Sequence, residues 1–274
     1  MISQDDYRFL QDFLRRQMGN ELAPDREDLV NNRLGPVAAS YGLEHAATLI
    51  QRLRDTPDRK LCQAVVDAMA TQETYFFRST RLFDNFRTIV MPSLLATRSA
   101  TRRLRIWCAA CSTGQEAYSI AMTLADHFPQ LAAWQVELVA TDISDSALER
   151  ARGGSFSQFE VQRGLPVQLL LKHFKKIDDR WHIADSLRRA VTFRRFNLLD
   201  NFLAVGDPFD IIFVRNILIY FDNSAKTAIF EKLRRHIAHD GYLALGESET
   251  ILGLTPHFAI SHGQSDFYRP AATV

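Results

Sequence analysis

The sequence predicts an α/β fold in which a doubly wound parallel sheet follows a small helical domain. From residue 104 onward, short apolar runs of strand length alternate with helical patterns, and most runs end at a polar residue. Before residue 54 the apolar residues recur at helical spacing. Strands that alternate with helices are typical of a parallel sheet covered on both faces. We therefore expect the main ligand to bind at the carboxyl ends of the strands.

Length and charge limit the function classes. A chain of 274 residues is long enough for one large domain with a smaller appendage. The 33 Lys and Arg residues nearly balance the 32 Asp and Glu residues, so no strong field is available to hold a nucleic acid or an anionic membrane. The sequence shows no signal peptide, in which a basic region would be followed by an apolar one, and no apolar run long enough to span a membrane. We expect a cytoplasmic protein.

The cysteines include a C-x-x-C pair, Cys108 and Cys111, which is compatible with a redox or metal site. No second Cys or His pair stands at the spacing of a zinc site. The pair lies where a strand runs into a loop, a place that suits small buried side chains. We therefore predict that both cysteines are buried and that the protein holds no metal.

The amino-terminal part is predicted to consist of short helices separated by glycines. The expected breaks are Gly19-Asn20, Gly35-Pro36 and Gly42. A further helix over residues 81–95 is expected to end near Pro92, because proline removes a backbone donor. We place the helical domain and its linker at residues 1–71 and the sheet-bearing domain at residues 72–274.

Five short apolar runs are predicted to form the parallel sheet. They are residues 104–110, 136–140, 191–196, 210–214 and 241–245. Between the second and third runs lies a long stretch whose apolar pieces are divided by Asp178-Asp179. This pattern predicts an inserted antiparallel β-subdomain, a hairpin attached to the edge of the sheet, at about residues 171–193.

The residues after the first two strands narrow the ligand class. The loop after the first strand contains one glycine, Gly114, and matches neither G-x-G-x-x-G nor G-x-x-x-x-G-K-[ST]. A pyrophosphate cofactor or a nucleoside triphosphate therefore fits poorly. Asp142, at the end of the second strand, can accept hydrogen bonds from two ribose hydroxyls or cap the helix that begins at Ser144. Both interpretations of Asp142 stay open.

Two further polar residues extend the pattern. Glu116 follows the glycine turn, where it can accept from an ammonium group or simply favour the helix N-terminus through the helix dipole. Asn197 follows the third strand, where its amide can meet an adenine edge or serve as an ordinary turn residue. Together with Asp142, these side chains describe a site for S-adenosylmethionine.

Five segments resemble the CheR chemotaxis-receptor methyltransferases, in the same order and over nearly the whole chain. They are ETYFFR at 73–78, CSTGQEAYS at 111–119, ATDI at 140–143, NLL at 197–199 and RNILIYF at 215–221. The resemblance implies a Rossmann-like S-adenosylmethionine methyltransferase domain. It also implies a protein-glutamate O-methyltransferase that forms glutamyl methyl esters on chemoreceptor cytoplasmic domains and releases S-adenosylhomocysteine.

The resemblance also implies the residues of the site. The cofactor is expected to contact Gln72, Thr74, Arg78, Glu116, Asp142, Asn197, Leu198, Arg215 and Asn216. Arg78 and Tyr220 are expected to lie nearest the methyl group and to be the catalytic residues. The chain departs from the family pattern at Gln72, where Asn is common, and at Glu247, where His is more usual.

The expected partner is a helical chemoreceptor bundle with exposed glutamates. A glutamate with a pKa of about 4.3 is ionised at neutral pH, so the enzyme is expected to act mainly by alignment. Family members commonly carry a basic helix here, but Arg33 is followed by residues 35–39, GPVAA. The hairpin turn at residues 176–180 lacks the glycine that some relatives use to bind a receptor C-terminal peptide. We expect a monomer that works without this tether.

Two alternative functions stay open. The first is a methyltransferase that acts on nucleic acid bases or on small molecules. Methyltransferases of this fold that modify nucleic acid bases often carry an N/D-P-P-Y/F element after the fourth strand, whereas this chain has RNILIY at residues 215–220. The balanced charge also argues against a nucleic acid partner. The second alternative is a non-catalytic, cofactor-binding signalling module, because the candidate binding residues outnumber the reactive ones.

Overall fold

A computed structural model describes residues 2–261 and 264–271. The amino-terminal part forms four helices around a core of their own. They are α1 (Gln4–Met18), α2 (Glu27–Ser40), α3 (Ala46–Asp55) and α4 (Arg59–Met69). The side chain of Ser3 caps the start of α1, and Gly19 ends that helix in the left-handed conformation. The predicted helical domain is therefore present.

The predicted break at Gly35-Pro36 is wrong, because α2 continues through both residues. Proline removes the bond that its N–H would donate to the carbonyl of Asn32. Both Pro36 and Asn32 are exposed, so water can bond this carbonyl instead. Leu34 and Ala38 on either side are fully buried, and their packing against the other helices keeps α2 continuous.

The predicted helix end at Pro92 is also wrong. Helix α5 (Thr80–Asn85) passes through a π-helical turn, Phe86–Val90, directly into α6 (Met91–Thr97). In the π turn, the N–H of Met91 donates to the carbonyl of Phe86, five residues back. Pro92 lies in the first turn of α6, directly after the π turn. A proline is tolerated at the start of an α-helical segment.

Seven strands form the main sheet, in the order β6-β2-β1-β7-β8-β10-β9. They are β1 (Arg103–Ala109), β2 (Gln135–Asp142), β6 (Val191–Arg195), β7 (Phe209–Val214), β8 (Ile237–Leu245), β9 (Phe258–Ser261) and β10 (Gln264–Pro270). The first five strands in this sheet order are mutually parallel, as predicted. β10 runs antiparallel between β8 and β9, and these two strands were not predicted from the sequence.

Helices cover both faces of this sheet. Besides α6 they include α7 (Gln115–His127), α8 (Asp145–Gly153), α11 (Asp185–Ala190) and α12 (Asn223–His236). Two shorter helices, α9 (Gln158–Gln162) and α10 (Val167–His173), lie between α8 and α11 in the chain. Alternate residues of β1 point to opposite faces: Ile106 and Cys108 enter one apolar core, while Trp107 and Ala109 enter the other. The doubly wound α/β prediction is confirmed. No helix in the described ranges combines the length and apolar character needed to cross a membrane.

A second, three-stranded antiparallel sheet has the order β3-β5-β4. Its strands are β3 (Ser155–Ser157), β4 (Phe174–Ile177) and β5 (Arg180–Ile183). The predicted hairpin is β4–β5, and Asp178 in its turn adopts a left-handed φ of 53°. The hairpin pairs with β3 rather than with the edge of the main sheet. Asp185–Ala190, within the range predicted for the β-subdomain, form helix α11 instead.

Candidate active site

The polar residues that follow the parallel strands meet at one cleft, which is partly open to solvent. The helical domain contributes Met18 and Asn20 to the wall, and the linker after α4 contributes a second wall. The cleft also contains all ten predicted site residues: Gln72, Thr74, Arg78, Glu116, Asp142, Asn197, Leu198, Arg215, Asn216 and Tyr220.

Asp142 ends β2 with both carboxylate oxygens bonded to backbone. Its Oδ2 accepts from the N–H of Ser112 at 2.8 Å, and its Oδ1 accepts from the N–H of Ser144 at 2.9 Å. Burial raises the pKa of Asp142 above its ordinary value, while the backbone donors act in the opposite direction. Ser144 itself caps α8. Each carboxylate oxygen keeps a second lone pair, so Asp142 can support the helix start and still accept from a ligand.

The loop after β1 brings the backbone close to the cleft through unusual conformations. Ala110 and Ser112 have φ values of 55° and 50°, and Gly114 has a φ of 94°. A Cβ placed on Gly114 would lie 2.9 Å from the Cβ of Ala151. Glycine is therefore required here both by the backbone conformation and by the close packing of α7 on α8.

Cys108 and Cys111 are buried free thiols, as predicted. Burial is the main reason why the pKa values of both thiols lie well above the ordinary range. The Sγ of Cys108 lies 3.5 Å from Oε1 of Glu116. High pKa values keep these thiols protonated and poorly nucleophilic. The two cysteines therefore act as small packing residues, and Cys111 lines the cleft.

Glu116, in the first turn of α7, forms an ion pair with Arg215 at the end of β7. The Nη2 of Arg215 also donates to the carbonyl of Arg78 at 2.9 Å. Among the described residues, the buried Nε of Arg215 has no hydrogen-bond partner. A buried donor without an acceptor is costly. This atom therefore marks a position where an acidic or carbonyl group of a ligand would be stabilised.

Asn197 links the two parts of the chain. Its Nδ2 donates to the carbonyl of Gln17 at 2.6 Å, and its Oδ1 accepts from the N–H of Leu199 at 3.0 Å. The side-chain oxygen of Asn197 is therefore bonded as in an ordinary turn residue. The amide still carries a second hydrogen, so a contact with an adenine edge stays a prediction. Leu198, next in the chain, is buried and supplies apolar wall.

The linker after α4 forms the adjacent wall. The Oε1 of Gln72 accepts from the hydroxyl of Ser112 at 2.9 Å. Arg78 donates from Nη1 to the carbonyl of Glu73 at 3.3 Å, and its guanidinium carbon lies 5.4 Å from the centre of the Tyr75 ring. This cation–π contact restrains the guanidinium without neutralising it. Arg78 is therefore a charged group at the cleft.

Tyr220 reaches the cleft from the loop after β7, and the helical domain packs against that loop. The carbonyl of Tyr220 accepts from the N–H of Glu21 at 3.4 Å. A Cβ placed on Gly19 would lie only 2.2 Å from the ring of Phe221. The end of α1 is thus held in direct contact with the residues that flank the candidate catalytic tyrosine.

Sequence reasoning missed the residue that organises this loop, Glu249. Its Oε2 accepts from the N–H groups of Asn216 and Gly246 at 2.8 and 2.7 Å. Its Oε1 accepts from the N–H groups of Ile217 and Leu218 at 2.9 and 2.7 Å. The sequence signal was the segment 246–249, GESE, which follows a strand and resembles a loop of the family. Nothing in that segment distinguishes Glu249 from its exposed neighbour Glu247.

Two family models match most of the chain. The model described as CheR methyltransferase, all-alpha domain, matches residues 5–70, and the model described as CheR methyltransferase, SAM binding domain, matches residues 72–267. The chain belongs to the CheR methyltransferase family. The predicted family and the predicted cofactor, S-adenosylmethionine, are thereby confirmed. This CheR protein is an S-adenosylmethionine-dependent methyltransferase that functions in chemotaxis.

Curated relatives align with nearly the full length of this CheR protein. It is 36% identical over 258 residues to chemotaxis protein methyltransferase Cher2 of Pseudomonas putida, an alignment that covers 92% of this chain and 93% of that protein. It is 37% identical over 258 residues to chemotaxis protein methyltransferase 1 of Pseudomonas aeruginosa, and the alignment covers 92% of this chain and 93% of that protein. It is 38% identical over 261 residues to the chemotaxis protein methyltransferase of Vibrio parahaemolyticus, and the alignment covers 94% of this chain and 93% of that protein.

Proposed function

We propose that this CheR protein transfers the methyl group of S-adenosylmethionine to glutamate side chains of chemoreceptor cytoplasmic domains and forms glutamyl methyl esters. The main support is that Arg78 and Tyr220 share one cleft with the predicted cofactor residues. Relatives aligned over more than nine-tenths of their length are named chemotaxis protein methyltransferases. S-adenosylhomocysteine is the product that would then leave the cleft.

The polar groups of the cleft fit S-adenosylmethionine. We assign the ribose hydroxyls to Asp142, whose oxygens keep free lone pairs. The buried Nε of Arg215, which lacks a partner among the described residues, suits the carboxylate of the methionine portion. Glu116 would accept from its ammonium group while it stays paired with Arg215. We assign the adenine to the wall formed by Asn197 and Leu198.

The acceptor glutamate requires alignment rather than a general base. Bound S-adenosylmethionine supplies an electrophilic methyl group, and a glutamate side chain with a pKa of about 4.3 is already ionised at neutral pH. Arg78 bonds a backbone carbonyl and contacts a ring within the described structure, so its charge is available to orient a carboxylate. The Tyr220 hydroxyl can donate a second hydrogen bond. Together these two side chains would hold the acceptor in line for transfer.

The helical domain offers only a modest electrostatic surface to an acidic partner. Arg33 donates to the final carbonyls of α4, and Arg54 pairs with the buried carboxylate of Asp6 at 2.6 Å. Both guanidiniums therefore hold the domain together. Arg59 and Lys60 stay exposed. We propose that receptor docking depends more on shape than on long-range charge, in keeping with a net charge of +1.

We further propose that receptor recognition does not require a C-terminal peptide tether. The β4–β5 hairpin turns through only Asp178 and Asp179 between Ile177 and Arg180, so no glycine-bearing loop stands there to receive a peptide. Calorimetric titration with an isolated receptor C-terminal pentapeptide should give no binding. A micromolar Kd would contradict this part of the proposal.

We propose that the enzyme acts in the cytoplasm as a monomer, with neither a nucleic acid nor a membrane as its partner. The near-neutral charge supports the exclusion of both polyanionic surfaces. Light scattering after gel filtration should give the mass of one chain, 31.3 kDa.

The decisive experiment is transfer of radiolabelled methyl from S-adenosylmethionine to purified receptor signalling domains. Label that is released by mild base would identify glutamyl esters. A receptor domain whose methylatable glutamates are replaced by alanine is the matched control and should stay unlabelled. Cofactor binding without transfer to any receptor would contradict the proposal and favour a signalling module.

A further inference from the structure

Two charged side chains, Glu249 and Lys232, form hydrogen bonds to the backbone of loops that border the cleft, but neither side chain lines the cleft. Glu249 is 8% exposed and does not line the cleft. Its carboxylate accepts from three consecutive backbone N–H groups, those of residues 216–218, and from the N–H of Gly246. Hydrogen bonds to an ionised carboxylate are short and strong, and consecutive N–H groups in a turn form a natural anion site. The loop after β7 is thus wrapped around one buried carboxylate.

Lys232, on α12, binds backbone carbonyl groups, whereas Glu249 binds backbone N–H groups. Its ammonium donates to the carbonyls of Leu198, Leu199 and Asp200 at 2.7, 3.0 and 3.0 Å. It also lies 4.8 Å from the centre of the Phe202 ring. An ammonium group has three N–H donors, so these three carbonyls engage all of them. The loop after β6 is thus fixed by one cation.

We propose that Glu249 and Lys232 are positioning residues for methyl transfer, each setting one wall of the cleft through backbone atoms. The inference rests on the proposed function. Glu249 sets the segment that carries Asn216 and Tyr220, at the catalytic end. Lys232 sets the segment that carries Leu198, where we place the adenine.

The two charges should affect different steps because their loops are separate. The loop bonded by Glu249 follows β7, and the loop bonded by Lys232 follows β6. Two strands, β1 and β2, stand between β6 and β7 in the sheet. A shift of one loop therefore need not move the other, and the Kd for S-adenosylhomocysteine and kcat can change independently.

The first test substitutes Glu249→Gln. Glutamine keeps the size of the side chain but turns one acceptor oxygen into a donor that faces two backbone N–H groups. A misplacement of about 1 Å at a reacting centre can reduce turnover by about 100-fold, and we expect kcat with the receptor domain to fall by this order. The Kd for S-adenosylhomocysteine, measured by calorimetry, should stay close to wild type.

Two companion variants make this test specific. Glu247→Gln changes an exposed residue of the same segment and should leave kcat and Kd unchanged. Glu249→Asp keeps the negative charge on a shorter side chain and should recover part of the lost turnover. It also provides a folded variant for the comparison if Glu249→Gln proves unstable.

The second test substitutes Lys232→Met, which removes the ammonium but keeps an apolar chain against Phe202. Loss of hydrogen bonds from a charged donor corresponds to roughly tenfold or more in an equilibrium constant. We therefore expect the Kd for S-adenosylhomocysteine to rise about tenfold, with kcat at saturating S-adenosylmethionine near wild type. Lys226→Met is the control, because Lys226 lies on the same helix and does not line the cleft.

Two results would overturn the inference. The first is that Glu249→Gln and Lys232→Met both lower kcat and cofactor affinity in parallel with the melting temperature, as substitutions of general structural residues do. The second is that both variants behave as wild type. If wild-type protein methylates no receptor domain, the proposed function fails separately. Hydrogen exchange still tests the positioning in that case: amides 216–218 should exchange faster in Glu249→Gln, and amides 199–200 should do so in Lys232→Met.

Discussion

Glu116 and Arg215 form an ion pair that is nearly removed from solvent, with side-chain exposures of 11% and 2%. The pair joins the first turn of α7 to the end of β7, and a further bond from Arg215 fixes the carbonyl of Arg78. Three segments that are distant in sequence are therefore locked together at one side of the cleft. Neither charge can be removed without leaving the other buried.

We predict that Glu116→Gln lowers the free energy of unfolding by about 3 kcal/mol, because it leaves the guanidinium of Arg215 buried without a counter-charge. Urea unfolding at neutral pH measures this loss. The double variant Glu116→Gln/Arg215→Met should recover part of it, since both charges are then gone. A double variant that is as unstable as the sum of the single variants would contradict the prediction.

We predict that Arg78→Ala and Tyr220→Phe lower kcat far more than they weaken cofactor binding. Both side chains are proposed to orient the acceptor, so their loss should appear in transfer rather than in the Kd for S-adenosylhomocysteine. Transfer assays with the receptor domain and calorimetry measure the two quantities separately. Unchanged turnover would remove either residue from the catalytic role. A proportional rise in Kd would assign that residue to cofactor binding.

Gly19 and Gly42 provide a matched pair for the contact between the helical domain and the active-site loop. Their φ values are 69° and 71°, but a Cβ on Gly19 would meet the ring of Phe221 at 2.2 Å, whereas nothing lies within 4 Å of one on Gly42. Each alanine substitution should cost about 1 kcal/mol of backbone strain. Gly19→Ala should cost more and should also lower kcat, because Phe221 adjoins Tyr220. Equal stability and turnover in the two variants would refute this contact effect.

Acid should weaken the ion pair between Arg98 and Asp240. Two hydrogen bonds from Arg98 hold the pKa of Asp240 below its ordinary value. Since the folded pKa lies below the unfolded pKa of about 3.9, the pair stabilises the fold above that pH, and this contribution is lost as pH falls through the folded pKa. Asp240→Asn should therefore be less stable than wild type at pH 7 and approach it in acid.

Urea unfolding at several pH values tests this dependence. Asp179→Asn, in the exposed hairpin turn, is the control and should follow wild type throughout. A stability difference between Asp240→Asn and wild type that does not shrink as the pH falls below the unfolded pKa of about 3.9 would show that it does not arise from ionisation of the carboxyl group.

The five parallel strands and the position of the site could be predicted from the sequence because both give local signals. A buried parallel strand is a short apolar run, and the polar residue after it marks the carboxyl end. The same logic explains the errors. Pro36 and Pro92 are locally helix-breaking, but packing and a π turn override that preference. Strand β3 has only three residues, too few to show a period.

The α/β class, the family motifs and ten of the residues that line the cleft follow from the sequence alone. The bonds that Glu249 and Lys232 make to the loops of the cleft, and the use of Arg33 and Arg54 within the helical domain, became visible only in the folded chain. The physical reason is that these charges bond backbone groups or side chains distant in sequence. Such bonds depend on how loops approach one another in space, and a residue's type and spacing carry no record of that approach.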